Sequence, residues 1–394
     1  MSVESTVRWH HWKMEGATDL RCGAGFMLSF LRGVLINGFT PKEASGITVA
    51  GGVATVTFGS AHKFFLHSVI EVTGATPAEL NDVWRVTGVT SDTFTFACPG
   101  VPDGAATGTI SVRVPPQVGW EEVFTGTNKA VFRNTHPVNA GRFLWVNDDF
   151  PNHCQIRAYE SMTDIDTGTD PFPTIAQRAI THFTWRKRTT WYACDGTQMP
   201  YIFVGDAGGF HFLPNYFFNP PTTYRWHHNW LSFIDCLPVI PSDEWATLVA
   251  AENNDTSWPP NFMQSTAVAG KYTCRSRDGI TNSRLTYSRG LGVDAANSLS
   301  GGYPWDGING HFDLSPMGIL NGNTAAWSFR AFVPGGYFAG VIPWGSAAPL
   351  QDHELAYYLT DPSGKTYLRF WVLNSSQVGG VGAIDIIGPW RANA

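Results

Sequence analysis

The chain has 394 residues, 43% apolar and only 15% charged, enough for two or three domains around a sizeable core. Its net charge is −6 and its densest basic run, Arg186-Lys187-Arg188, is too short for a nucleic-acid footprint, which excludes nucleic acid as a principal partner. No stretch of about 18 apolar residues spans a membrane, and aromatic residues interleaved with 41 Gly and 25 Pro exclude disorder and point to strands joined by many turns.

The His- and Trp-rich start, residues 1–13, lacks the charged-then-apolar pattern of a signal peptide. Residues 25–36 carry apolar side chains at spacings of 3 and 4, which predicts a short helix ended by Asn37-Gly38 and barred from continuing by Pro41. A helix apolar nearly all round must pack into its own core or a neighbouring subunit. Phe26, Phe30 and Leu31 are therefore candidate interface residues. From 46 to 114, short β-branched runs at 47–50, 52–58, 68–72, 83–89, 93–96 and 109–114 are separated by turn residues. They predict a small antiparallel barrel or sandwich with Val53, Val56, Val69, Val86 and Phe94 pointing inward. Pro115-Pro116 is a stiff exit. The expected organisation is mainly β: an arm with a short helix over 1–45, a small β-module over 46–115, and a larger β-rich, sandwich-like domain over 116–394.

In that larger region the runs 130–133, 142–146 and 155–159 predict a meander, followed by strands at 191–194 and 201–206. Residues 209–213 should pair with 201–206 across Asp206-Ala207-Gly208. The stretch 214–232 is aromatic, Pro-rich and irregular, a composition suited to subunit contacts; Tyr216, Phe217, Phe218, Tyr224, Trp226 and Trp230 complete the candidate interface. Later strands fall at 326–332, 355–359 and 367–373, the last two forming a hairpin around Asp361-Pro362-Ser363-Gly364-Lys365. No unit recurs at a fixed period, which excludes a solenoid or propeller.

The six cysteines are scattered without a C-x-x-C pair, and a chain made in the cytosol should keep them as buried thiols. Asp164, Asp166 and Asp170 alternate on a Gly-containing loop, the spacing of a calcium loop. Ile175 stands where the twelfth-position acid belongs, so an acidic turn bonded to its own backbone is expected, with no metal and no cofactor. His10-His11 and His227-His228 sit among Trp and Tyr; without a third ligand from elsewhere they read as packed aromatic contacts, with a carbohydrate platform as the other use of such rings. No nucleophile elbow, Walker loop or H-E-x-x-H helix occurs. Asp243-Glu244 reads as the first-turn acids of a short helix over 245–249.

Several stretches share their wording with known proteins: Leu35-Ile36-Asn37-Gly38-Phe39, Gly52-Val53-Ala54-Thr55-Val56-Thr57, Gly74-Ala75-Thr76-Pro77-Ala78-Glu79-Leu80-Asn81, Arg85-Val86-Thr87-Gly88-Val89 and Ala106-Thr107-Gly108-Thr109-Ile110-Ser111-Val112. Gly119-Trp120-Glu121, Phe124-Thr125-Gly126-Thr127-Asn128, residues 159–169, Pro171-Phe172-Pro173, Val204-Gly205-Asp206 and Ile387-Gly388-Pro389-Trp390-Arg391 continue the pattern. In these words the chain resembles a family of tailed-bacteriophage virion proteins encoded near tail genes. The resemblance spans most of the chain, is densest in its first half, and departs in the His/Trp-rich start and the aromatic middle. It implies a virion component of the tail, baseplate or neck, made in the host cytoplasm and contacting other tail or baseplate proteins, and it carries over no catalytic residue. Low charge and the aromatic stretch 214–230 add the expectation of a symmetric homo-oligomer, a trimer or hexamer. A receptor- or glycan-binding tail protein for host adsorption is the second reading, and a particle-borne glycan hydrolase the third. An exposed Trp or Tyr in a groove favours the second; two buried carboxylates facing each other across a cleft favour the third.

Overall fold

The computed structural model describes residues 7–180, 183–188, 194–215, 229–251, 270–280, 283–290, 315–321, 328–342, 357–360, 365–372 and 379–391. Among the described residues the fold is mainly β, with 49% strand and 7% helix, built from three antiparallel sheets. None of the helices among the described residues is long and apolar enough to cross a membrane.

The eight-stranded sheet draws all its strands from Lys42–Glu43 to Ser111–Arg113. Its alternation is regular: Val53–Thr57 lies between Gly46–Ala50 and Thr93–Ala97, with Val56 opposite Ile47 and Phe94. Val56, Val69, Val86 and Phe94 are buried, but Val53 is 42% exposed. Val53 and Val56 are three residues apart on one strand, so a period of two puts them on opposite faces; Ala54 takes the inward place. Two of the shared stretches cross at this sheet's edge. Thr76 and Thr107 exchange backbone hydrogen bonds of 2.8 and 2.9 Å. A Cβ on Gly74 would fall 2.1 Å from the Thr109 carbonyl oxygen, and one on Gly108 2.2 Å from the Gly74 carbonyl oxygen. Both glycines also hold positive φ, 75° and 110°, so only glycine satisfies the crossing.

The six-stranded sheet runs as a meander through Trp120–Gly126, Lys129–Asn134, Phe143–Asn147, His153–Met162 and Gly168–Phe172, with Thr184–Arg186 also paired to His153–Met162. One face sends Ala130, Phe132, Leu144, Val146, Ile156 and Ala158 into the main core. The other carries a smaller core of Val131, Phe143, Trp145, Tyr159 and Met162. The acidic loop folds over this second face, where the Trp145 indole N–H donates to the Ile165 carbonyl at 2.8 Å.

Among the described residues the largest sheet has 13 strands. It begins with Arg8–His11 on the edge of Tyr201–Asp206, continues through Gly209–Pro214, Leu231–Asp235 and Thr247–Ala251, and ends on Thr366–Val372 and Tyr357–Thr360. The expected pairings are present: Asp206 faces Gly209 across the 207–208 turn, and Thr360 faces Thr366. Residues 191–193, 326–327, 355–356, 361–364 and 373, parts of the expected strands and turn, lie outside the described residues, and Cys194 is in no strand. A single apolar core connects all three sheets, from Val7 to Trp390.

Two further expectations are corrected, at residues 245–249 and at the cysteines. Residues 8–11 form an edge strand in which Trp9 and His10 are fully buried, the His10 Nε2 lying 2.9 Å from the Pro115 carbonyl. The Pro115-Pro116 exit is thus packed under the N-terminal strand. No helix forms at 245–249, because Thr247–Ala251 is a strand buried at every position between Leu231–Asp235 and Gly270–Thr273; β-branched Thr247 and Val249 fit a pleated, two-sided core better than a helix. Cys22 and Cys194 form a disulfide, while Cys98, Cys154, Cys236 and Cys274 are buried free thiols.

The predicted helix forms at Phe26–Arg32 and relaxes into a π-turn at Gly33–Asn37. Its first N–H groups are satisfied from far away in sequence. The Asp148 carboxylate accepts from Met27 N at 2.7 Å and Leu28 N at 3.2 Å. The same carboxylate pairs with the ammonium of Lys187, both side chains fully buried, and Lys187 also donates to the Gly23 and Phe150 carbonyls.

Candidate functional site

The proposed interface residues divide. Phe30 packs against Tyr201, Phe212 and Phe203 at ring distances of 4.6, 5.0 and 5.9 Å, and Leu31 is fully buried beside it. Trp230, 2% exposed, donates its indole N–H to His211 Nδ1 at 3.0 Å. All three are buried within their own chain: Phe30 and Leu31 on a helix covered by the aromatic rings of the large sheet, and Trp230 against His211. Phe26 is half-buried under the Arg21 guanidinium. Tyr216, Phe217, Phe218, Tyr224 and Trp226, like His227-His228, lie outside the described residues.

Nor do the alternate carboxylates of the acidic loop converge. Asp164 accepts from the Asp166 N–H at 2.8 Å, a bond that holds its pKa below the usual value, while Asp166 pairs with Lys129 at 2.7 Å and Asp170 with Arg275 at 3.5 Å. The described residues hold no group of three or more His, Cys, Asp or Glu able to bind a metal. His10 and His11 alternate along a strand, so one ring meets Phe39 and Phe203 and the other Phe65 and Trp12. Among the described side chains no Trp or Tyr is exposed.

A cleft of about 780 Å³ opens where the loop 138–142 of the six-stranded sheet meets the strands 231–235 and 247–251 of the large sheet. Its polar lining includes Asn139, Arg142, Asp235, Asp243, Glu244 and Arg391. Arg391 comes from the far end of the chain. Its Nε donates to Asp206 at 2.9 Å and its Nη2 to the Asp235 carbonyl at 2.7 Å. Gly208 makes room for it, since a Cβ there would fall 2.1 Å from the guanidinium. Two of the shared stretches, 204–206 and 387–391, therefore meet in one ion pair at the cleft.

Asp235 clamps the two sheets together, accepting from the Thr247 hydroxyl at 2.6 Å and the Ala140 N–H at 2.7 Å. Burial pushes its pKa up, against these two hydrogen bonds and the charges of Arg391 and Arg142. Arg142 reaches the Glu244 carbonyl at 3.4 Å and Glu160 at 3.8 Å, and its buried Nε has no partner among the described residues. Glu244 is exposed at the rim. Asp243 turns the other way. It forms a fully buried bidentate pair with Arg330 at 2.7 and 2.8 Å, and Arg330 also donates to the Thr273 hydroxyl and the Arg275 carbonyl. The adjacent acids Asp243-Glu244 are thus split, one locked and one free. Burial lifts the Cys236 thiol in the cleft wall to about 12, which keeps it protonated.

Chemically the cleft offers the partly exposed Arg142 guanidinium, an exposed carboxylate and backbone groups, which suit a small polar ligand. The sequence reading missed Arg142, Asp235 and Arg391. Asp206 and Arg391 did carry a signal, as isolated opposite charges inside two of the shared stretches, but their pairing is a contact across 185 residues.

No family model matches the sequence, and no curated protein matches it. Among solved structures the chain is similar to the phage phi92 endosialidase, with a TM-score of 0.17 and 10% sequence identity over 88% of this chain and 52% of that one. The chain spans about half the length of that structure, and at this TM-score the likeness carries no weight for fold or function.

Proposed function

We propose that the chain is a structural, non-catalytic component of a tailed-phage particle, placed in the tail, baseplate or neck. The observation that supports this most is where the shared stretches fall. Gly74 and Gly108 interlock two backbone segments, and Asp206, Gly208 and Arg391 lock the C-terminal end onto the large sheet. What the resemblance shares is framework, not a nucleophile or base. Quantitative mass spectrometry of purified particles tests it, with the chain expected at a fixed stoichiometry to the known tail proteins. Its absence from particles overturns the proposal. The purified chain is further expected to leave host peptidoglycan, lipopolysaccharide and capsule unchanged in length. Oligosaccharide release abolished by a single Asp or Glu substitution would make it a hydrolase instead.

One observation favours a second reading, a receptor- or glycan-binding role: the cleft is lined by both the Arg142 guanidinium and the exposed Glu244. Such donor–acceptor pairs match the hydroxyls of a sugar. Binding of host-surface polysaccharide that disappears in Glu244→Gln, with the fold intact, would promote this reading to first.

A further inference from the structure

Two of the six cysteines differ from the rest in surroundings. Cys22 and Cys194 are joined across 172 residues, and Cys194 is exposed while Cys22 is 6% exposed. Cys98, Cys154, Cys236 and Cys274 are at most 5% exposed, and burial raises the pKa of each thiol. Reactivity requires thiolate and access, so exchange chemistry is confined to the first pair.

Hydrogen bonds beside the disulfide also join the two segments. Arg21 and Gln198 form an antiparallel bridge, Met199 N donates to the Leu20 carbonyl at 2.6 Å, and the Tyr201 hydroxyl donates to the Thr18 carbonyl at 2.8 Å. The two Cα atoms lie 5.3 Å apart, within the bridging range. The bond ties the approach to the Phe26–Arg32 helix to the start of the Tyr201–Asp206 strand, where Phe30 packs on Tyr201.

We propose that Cys22–Cys194 is a redox-responsive staple: open in a reducing cytosol, it closes on the already folded chain when a small disulfide such as oxidised glutathione is present. The accessible Cys194 thiolate attacks the small disulfide, forming a mixed disulfide and releasing one thiol. Cys22 then attacks the mixed disulfide at Cys194 and releases the second thiol. Two protein thiols lose two electrons and two protons, and one small disulfide gains both. Excess thiol reverses each step.

Mass tagging of the full chain with a maleimide tests this. After oxidation with glutathione disulfide, denaturation should expose four taggable cysteines; after full reduction, six. Mild native reduction should open two sites only, mapped to Cys22 and Cys194, and oxidised glutathione should close them again. Opening the staple should lower the melting temperature by about 5 °C, and Cys22→Ser should show the lower value with or without reductant. If that variant does not fold, wild-type chain reduced natively and capped at the two sites supplies the comparison. Six free thiols after oxidation, a different pairing, or a pair that reduces only on unfolding would each overturn the proposal.

Discussion

Single side chains carry much of the energetic risk, because several charges and imidazoles are buried. Arg391 and Asp206 have side chains 10% and 5% exposed and are 2.9 Å apart. Arg391→Ala would leave a buried carboxylate unpaired and free the Asp235 carbonyl, a loss on the order of 3 kcal/mol in chemical denaturation. An unchanged midpoint would show that the pair contributes nothing net. His10 and His211 are the second such case. The His211 Nδ1 accepts from the Trp230 indole, so its Nε2 carries the hydrogen donated to the Pro334 carbonyl at 2.8 Å. A second proton on Nδ1 would face the Trp230 N–H and leave only the Ser232 hydroxyl, 2.7 Å away, to accept it. Burial, with a smaller contribution from Arg391, pushes His211 down to about 4, and burial does the same for His10. Both folded values lie below the ordinary value of 6.5. The unfolded chain therefore binds more protons between the two values, and stability is full above pH 6.5 and lost as pH falls toward about 4. Asp148 and Asp235, raised by burial, act in the opposite direction in acid and offset part of this loss. Denaturation midpoints between pH 4 and 6.5 should fall with pH, less steeply in His211→Gln; equal slopes would remove His211 as a cause.

At the scale of elements, the helix depends on a residue outside it. Asp148 caps Met27 and Leu28 and neutralises buried Lys187 in one step. Asp148→Ala should cost about 3–5 kcal/mol, since it strands a buried ammonium as well as two N–H groups; Asp148→Asn, which keeps an acceptor, should cost less. If the two variants unfold alike, the charge is not what matters. The eight-stranded sheet makes a different prediction. All its strand pairings lie within residues 42–113, and it buries its own Val56, Val86, Phe94 and Phe96. A fragment of residues 42–115, which keeps the Lys42–Glu43 edge strand, should fold alone and protect its strand amides from exchange. A fragment without protection would mean that the shared core with the other sheets is required.

Over the whole molecule, the proposed self-assembly needs a surface, and the buried Phe30, Leu31 and Trp230 do not provide it. Val239, Ile240 and Phe332, exposed by 44, 39 and 36%, lie near the paired strands 237–238 and 329–342 beside the cleft. The intact chain should sediment as a trimer or hexamer, and Ile240→Asp should shift it toward monomer. A monomeric wild type would end the self-assembly proposal.

The mainly β class, the helix at residues 26–32 and most strand positions through residue 214 were legible in the sequence, because alternation, β-branching and turn residues act over a few neighbours. Placing Val53 and Val56 on one face broke the local period of two itself, whereas Thr247–Ala251 became a strand through a choice that is not local, because partner strands lie on either side. Everything about the cleft was decided by tertiary structure. Asp206, Asp235 and Arg391 meet across as many as 185 residues, Asp148 finds the helix 121 residues away, and Cys22 finds Cys194 across 172. Local patterning records the period of an element and the residues that end it. Which distant charge or thiol lands beside another depends on sheet order and register, and no neighbouring residue encodes that.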